Sequence, residues 1–133
     1  MSKFSNRTAA LGIMSALALG TIAAAPAFAQ GGGTRVTARA QCSAGSQSKL
    51  TLAHDNGFIE TEFEVDSNRA GQVWNVAIKD NGISVFSGTR TTTAPSGSFT
   101  VRRRIPNRAG VDSVVASAKN TRSGETCVVR SSI

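Results

Sequence analysis

Apolar residues recur with a period of two along most of this chain, and that period limits the fold more than any other feature. Between residues 59 and 66 uncharged residues alternate with four acidic ones. Comparable stretches lie at 36–42, 50–52, 74–79, 83–85, 99–101, 111–118 and 126–129. This alternation is typical of strands with one face in a core and one in water. The chain after residue 35 shows no amphipathic helix pattern and is predicted to be all-β.

Turn signals separate these stretches at regular intervals. Asn56-Gly57 and Asn81-Gly82 predict tight hairpins, because a type I′ turn needs positive φ at both central residues. Longer loops are predicted around Pro95 and at 106–110. About seven short strands with such turns predict an antiparallel β-sandwich.

Strand parity predicts which residues face the core. One β-bulge would exchange the faces of a strand, and in the stretch after Gly110 both Val111 and Val115 compete with Val114 for the inner side. The predicted core consists of Val36, Ala38, Leu50, Leu52, Ile59, Phe63, Val65, Trp74, Val76, Ile78, Val85, Phe99, Val101 and Val114.

The stretch from Asp112 to Ala118 resembles the Asp-x-Ala-x-Tyr-x-Cys strand of immunoglobulin-like domains, although neither its Tyr nor its Cys is present. Trp74 resembles the core tryptophan of that fold. The chain after residue 29 also resembles small secreted actinobacterial proteins that have one immunoglobulin-like or fibronectin-III-like sandwich and no assigned activity. The resemblance implies an immunoglobulin-like sandwich, and it implies no catalytic residue or ligand.

Residues 1–29 have the pattern of a secretory signal peptide. Lys3 and Arg7 precede an uncharged run at 11–25, and the small residues around Phe28 predict cleavage between Ala29 and Gln30. The predicted mature chain has a flexible glycine-rich leader at 30–34 and one domain at 35–133, and it is secreted with no transmembrane span. The alternative is an uncleaved anchor, although the apolar run is short for a bilayer span of about 20 residues.

Cys42 and Cys127 are the two cysteines of the chain. An isolated pair in an exported domain predicts a disulfide, here between the first and last strands. Such a bridge is worth roughly 4–5 kcal/mol on the chain-entropy model. The alternative of two metal-binding thiols lacks the two further ligands of a structural zinc site.

Positive charge predicts anionic partners. Without Lys3 and Arg7, 13 of the 15 basic residues remain beside 8 acidic ones. Arginine forks suit phosphate and carboxylate, so a polyanion contact is predicted at Arg102, Arg103, Arg104 and Arg108, with Arg90 near in sequence. With no Tyr and one Trp, stacking platforms for specific nucleic-acid recognition are lacking. The alternative is that the charge serves solubility alone.

Four acidic residues share one side of one predicted strand. If that strand adjoins the one with Arg102 and Arg104, cross-strand ion pairs will form. Three other interpretations stay open: a divalent cation site, a charged face for a partner protein, and a charged edge strand that guards against aggregation. The four residues are Glu60, Glu62, Glu64 and Asp66.

Catalytic motifs are absent from the sequence. It has no nucleophile elbow, HExxH, P-loop or dinucleotide fingerprint, and His54, beside Asp55, is its single histidine. A small hydrolase centred on His54 is the third hypothesis. The first is a secreted, monomeric, non-enzymatic module without cofactor or metal, which binds an extracellular protein or cell-envelope polymer or has a structural role. The second is a cationic protein that associates with anionic polymers or membrane surfaces.

Overall fold

The computed structural model describes residues 33–133, which form one all-β unit. The predicted signal peptide, its cleavage site at Ala29 and Gln30, and the leader up to residue 32 lie outside the described residues. Between residues 33 and 133 there is no helix of the length and hydropathy that crossing a membrane requires. The strands are β1 (Arg35–Gln41), β2 (Gln47–Asp55), β3 (Phe58–Asp66), β4 (Val73–Asp80), β5 (Ile83–Thr91), β6 (Ser98–Pro106), β7 (Ser113–Asn120) and β8 (Thr126–Ser132).

Two antiparallel four-stranded sheets form a sandwich. Their strand orders are β1-β2-β3-β6 and β5-β4-β7-β8. The chain crosses between sheets after β3, β5 and β6, so that β3 pairs with β6 and β4 with β7. Such crossings make the Greek-key connections that immunoglobulin-like sandwiches share. The predicted sandwich is confirmed, with eight strands where the turn signals predicted about seven.

Both Asn-Gly pairs form the predicted two-residue hairpins. Asn56 and Gly57 have φ of 46° and 80° between β2 and β3, and Asn81 and Gly82 have φ of 48° and 81° between β4 and β5. Positive φ at both central residues matches the right-handed twist of the flanking strands. Local sequence therefore determines these two strand pairs.

Trp74 lies at the centre of the core and is fully buried, with its ring centroid 6.3 Å from that of Phe99. Val36, Ala38 and Val85 of the predicted core pack against it but are only half-buried. Val36 and Ala38 lie on the edge strand β1. Val85 occupies a bulge where the β4–β5 register shifts, and the following residue, Phe86, is buried. The predicted core also lacked five residues that are buried in the structure: Phe86, Ile105, Ala116, Ala118 and Val129.

The predicted disulfide is confirmed between Cys42 and Cys127, and both cysteines are buried. Cys42 directly follows β1 and Cys127 lies in β8. Because β1 and β8 are edge strands of different sheets, the bridge joins the sheets at one side of the sandwich. Beside it, the buried Glu125 carboxylate accepts hydrogen bonds from the backbone N–H and the hydroxyl of Ser46, at 2.8 and 2.9 Å.

Candidate functional site

The acidic row of β3 faces the basic row of β6. In the observed register Glu62 lies opposite Arg102 and Glu60 lies opposite Arg104. Arg102 Nε is 2.9 Å from Glu62 Oε2, and Arg104 Nε is 3.4 Å from Glu60 Oε1. On β2, the other neighbour of β3, Lys49 Nζ donates to Glu64 Oε2 at 3.1 Å. The predicted cross-strand ion pairs are confirmed.

The outer side of the β1-β2-β3-β6 sheet is electrically balanced, and we call it the neutral face. Its acidic row belongs to a central strand, so the interpretation as a charged edge strand is wrong. Within residues 33–133 no three His, Cys, Asp or Glu side chains come together as a metal site. Its outward charged residues are Arg35, Arg39, Lys49, Arg102, Arg104, Asp55, Glu60, Glu62, Glu64 and Asp66.

The outer side of the β5-β4-β7-β8 sheet has a different charge pattern, and we call it the basic face. Lys79, Lys119 and Arg130 are exposed on β4, β7 and β8. No outward position of these four strands is acidic. The three acidic residues that the neutral face does not hold, Asp80, Asp112 and Glu125, are all buried. The excess positive charge of residues 33–133 therefore lies entirely outside the neutral face.

A shallow groove of about 470 Å³ crosses the basic face. Its floor is made by small side chains, since Ala77 pairs with Ser87 on one side and with Ser117 on the other. Lys79 and Lys119 lie on opposite sides of this row. Lys79 lies opposite Val115, and Lys119 lies opposite Asn75. These two rows are four residues apart along the strands, so they are separated by about 13 Å. Lys119 lines the groove, whereas Lys79 lies beyond its lining on the same face.

The four arginines predicted as a polyanion contact do not share one surface. Arg102 and Arg104 are ion-paired on the neutral face. Arg103 points to the other side of β6, and Arg108, in the loop after β6, lies 3.9 Å from the buried Asp80. Reasoning from the arginine run missed the basic face. Strand parity gives the outward cations of β4, β7 and β8, but only the strand order shows that they share one face.

Arg90 and Arg103 meet over one aromatic ring. The guanidinium carbon of Arg90 is 4.8 Å from the ring centroid of Phe86, and that of Arg103 is 4.4 Å from it. Both arginines are half-buried where β5 and β6 lie side by side at the edge of the sandwich. Gly88 leaves room for the ring, since a Cβ there would lie 3.2 Å from Phe86 Cζ. We call these three side chains the arginine–phenylalanine edge.

Two carboxyl groups are buried together at one end of the sandwich. Burial raises the pKa of Asp80, the neighbouring Asp112 raises it further, and Arg108 partly opposes both effects. Asp112 accepts hydrogen bonds from Asn81 Nδ2 at 3.4 Å and from the backbone N–H of Arg108 at 3.3 Å. The backbone of Asp112 also exchanges two hydrogen bonds with that of Ile133. These bonds hold the residue that follows β8 beside the buried carboxyl groups.

His54 is exposed near the end of β2, where its backbone N–H donates to the carbonyl of Thr34 at 3.0 Å. The adjacent Asp55 carboxylate is 3.4 Å from Arg104 NH2. In residues 33–133 the His54 imidazole has no side-chain hydrogen bond or ion pair. The structure therefore does not bring Asp55 and His54 together as a catalytic pair.

The sequence matches no protein-family model and no curated protein.

Proposed function

We propose that this chain is a secreted, non-enzymatic binding module whose basic face associates with an anionic polymer of the cell envelope. The segregation of charge carries the proposal: one face balances its acids with an equal number of bases, and the charged residues of the other are all cations. A polyanion approaching the basic face meets no competing carboxylate. Cations in rows about 13 Å apart along this face suit a linear ligand better than a small one.

A specific protein partner has less support. Protein interfaces need a buried, largely apolar centre with aromatic or arginine anchors. The exposed large apolar residues are instead distributed over different strands and a loop: Phe58, Val73, Ile83, Val111 and Val128. Of these only Val128 borders the groove. A polymer that is recognised by charge needs no such apolar centre.

Binding of the oxidised domain, residues 30–133, to dextran sulfate at 50 and 200 mM salt tests this proposal. Contacts with a polyanion release counterions, so affinity should fall steeply as salt rises. The triple variant K79Q/K119Q/R130Q should flatten the slope of log affinity against log salt by about 2, since each single-strand contact contributes about 0.7.

The matched control is R35Q/R39Q/R102Q, which removes the same charge from the neutral face. It should bind more tightly than the basic-face triple variant at each salt concentration. Equal losses in the two triple variants would show that net charge alone governs binding and would contradict a basic-face site. No binding by the wild-type domain at 50 mM salt would contradict the proposed function itself.

A further inference from the structure

We propose that the arginine–phenylalanine edge is a subsite for phosphate groups, so that Arg90 and Arg103 together anchor a phosphate-containing polymer. This inference rests on the proposed function and specifies the ligand chemistry. It concerns an edge of the sandwich whose strand β5 also borders the basic face.

The two guanidinium groups are close and uncompensated. Both carbons lie within 5 Å of the Phe86 centroid, so they are at most about 9 Å apart. Within residues 33–133 neither arginine forms an ion pair with a carboxylate, whereas Arg102 and Arg104, directly beside Arg103 in sequence, both do. Two positive charges beside one ring repel each other, and an anion that contacts both would reduce that repulsion.

Within residues 33–133 most of their hydrogen-bond donors have no acceptor. Arg90 NH1 donates to the carbonyl of Thr89 at 2.7 Å, and Arg103 NH1 donates to the carbonyl of Arg102 at 3.1 Å. A guanidinium has five N–H donors in a rigid fork. Each of these side chains therefore retains donors for a ligand, and the fork geometry matches phosphate oxygens.

Phe86 restricts where the guanidinium groups can lie. The ring is nearly buried, packed over Gly88, and attracts both cations through its face. Side chains that are already ordered lose less conformational freedom on binding a ligand. The ring thus orders the guanidinium groups of Arg90 and Arg103 before a ligand binds. The two groups could then contact one anionic group or neighbouring groups along a polymer. A phosphate group, with three strong acceptor oxygens and nearly two negative charges, matches two guanidinium groups better than a single carboxylate does.

Binding to long-chain inorganic polyphosphate at 100 mM salt tests the subsite. R103Q and R90Q should each weaken binding about tenfold, because each loses one charge-assisted fork. R102Q is the matched control: it removes the same charge from the adjacent residue of the same strand and should weaken binding less than threefold. R103K keeps the charge but loses the fork, so it should behave like R103Q.

A second arm separates phosphate from other anions. Replacing polyphosphate by polyglutamate should reduce the difference between R103Q and R102Q to less than threefold. Inorganic phosphate, compared with chloride at equal ionic strength, should raise the melting temperature of the wild type and R102Q more than that of R103Q. The melting temperature without phosphate, measured alongside, shows whether R103Q is folded.

Three outcomes would overturn the subsite. The first is equal affinity of R103Q and R102Q for polyphosphate, and the second is full affinity in R103K. The third is wild-type binding to dextran sulfate without binding to polyphosphate, which would leave the proposed function intact. Absence of binding to either polymer would overturn both the subsite and the proposed function.

Discussion

Arg102 Nε donates to Glu62 Oε2 at 2.9 Å, across the boundary between β6 and β3. The next residue, Arg103, points to the opposite side of β6 and lies over the ring of Phe86. One arginine is thereby neutralised and its neighbour is not. Three arginines in a row thus have two different electrostatic roles, because successive side chains of a strand alternate between its faces.

Neutralising the acidic row should turn the neutral face into a second polyanion site. In E60Q/E62Q the side chain of Arg102 loses its carboxylate partner and that of Arg104 keeps only Asp55, and the face gains two net positive charges. We expect affinity for dextran sulfate at 50 mM salt to rise about threefold to tenfold. Stability should fall by less than about 2 kcal/mol, since exposed pairs contribute roughly 0.2–1 kcal/mol each. Unchanged affinity would show that these carboxylates do not keep the neutral face from binding.

The disulfide should supply a large share of the stability. Cys42 and Cys127 are 85 residues apart in sequence, and their bridge joins the edges of two sheets. Replacing both by serine should lower the free energy of unfolding by about 4–5 kcal/mol, measured by urea denaturation. Wild-type protein in reductant provides the control and should give a similar loss. A loss below about 1 kcal/mol would mean that packing between β1 and β8 already holds this side closed.

The two-residue turns and the parity of β3 and β6 could be predicted from sequence because they depend on local information. An Asn-Gly pair determines its own turn, and alternation determines which side chains share a face. The confirmed Glu62–Arg102 pair needed one further assumption, that β3 and β6 are neighbours. That neighbour relation depends on the crossing of the chain between sheets, which no short stretch of sequence specifies.

The bulge at Val85 and the basic face could not be predicted in the same way. A bulge depends on how β5 fits against its partner β4, and it placed Phe86 in the core instead of Val85. The same shift sets the position of the Phe86 ring that Arg90 and Arg103 both contact. The basic face is built from three strands that must first be known to adjoin each other.

Gly97 should tolerate alanine less well than Gly82 does. Both have positive φ, 70° and 81°, so alanine would be strained at either position. At Gly82 the new methyl group would meet open space, and G82A should cost about 1–2 kcal/mol. At Gly97 it would collide with the backbone of Asn68 and Arg69, so G97A should cost roughly 3 kcal/mol or more. Equal thermal shifts for the two variants would show that the loop before β6 yields easily.

Asp80 should make the protein less stable as pH rises. Burial first, and the neighbouring Asp112 second, raise its pKa in the folded state above its ordinary value of 3.8. The folded protein then binds more protons than the unfolded chain between these two pKa values, so its stability falls as pH increases through that interval. Above the folded pKa, the charged Asp80 remains a constant cost to the folded state.

Replacing Asp80 by asparagine removes that cost and keeps the shape of the side chain. At pH 7 D80N should be more stable than the wild type by about 1 kcal/mol, the scale of an unsatisfied buried polar group. The difference should shrink as pH falls toward and below 3.8, because Asp80 then becomes protonated in the unfolded state as well as in the folded one. Urea unfolding at pH 3.5, 5 and 7 would measure this, with D66N as the control at a carboxylate of the neutral face. If D80N were destabilised at pH 7, the ion pair of Asp80 with Arg108, at 3.9 Å, would outweigh the burial of the carboxylate.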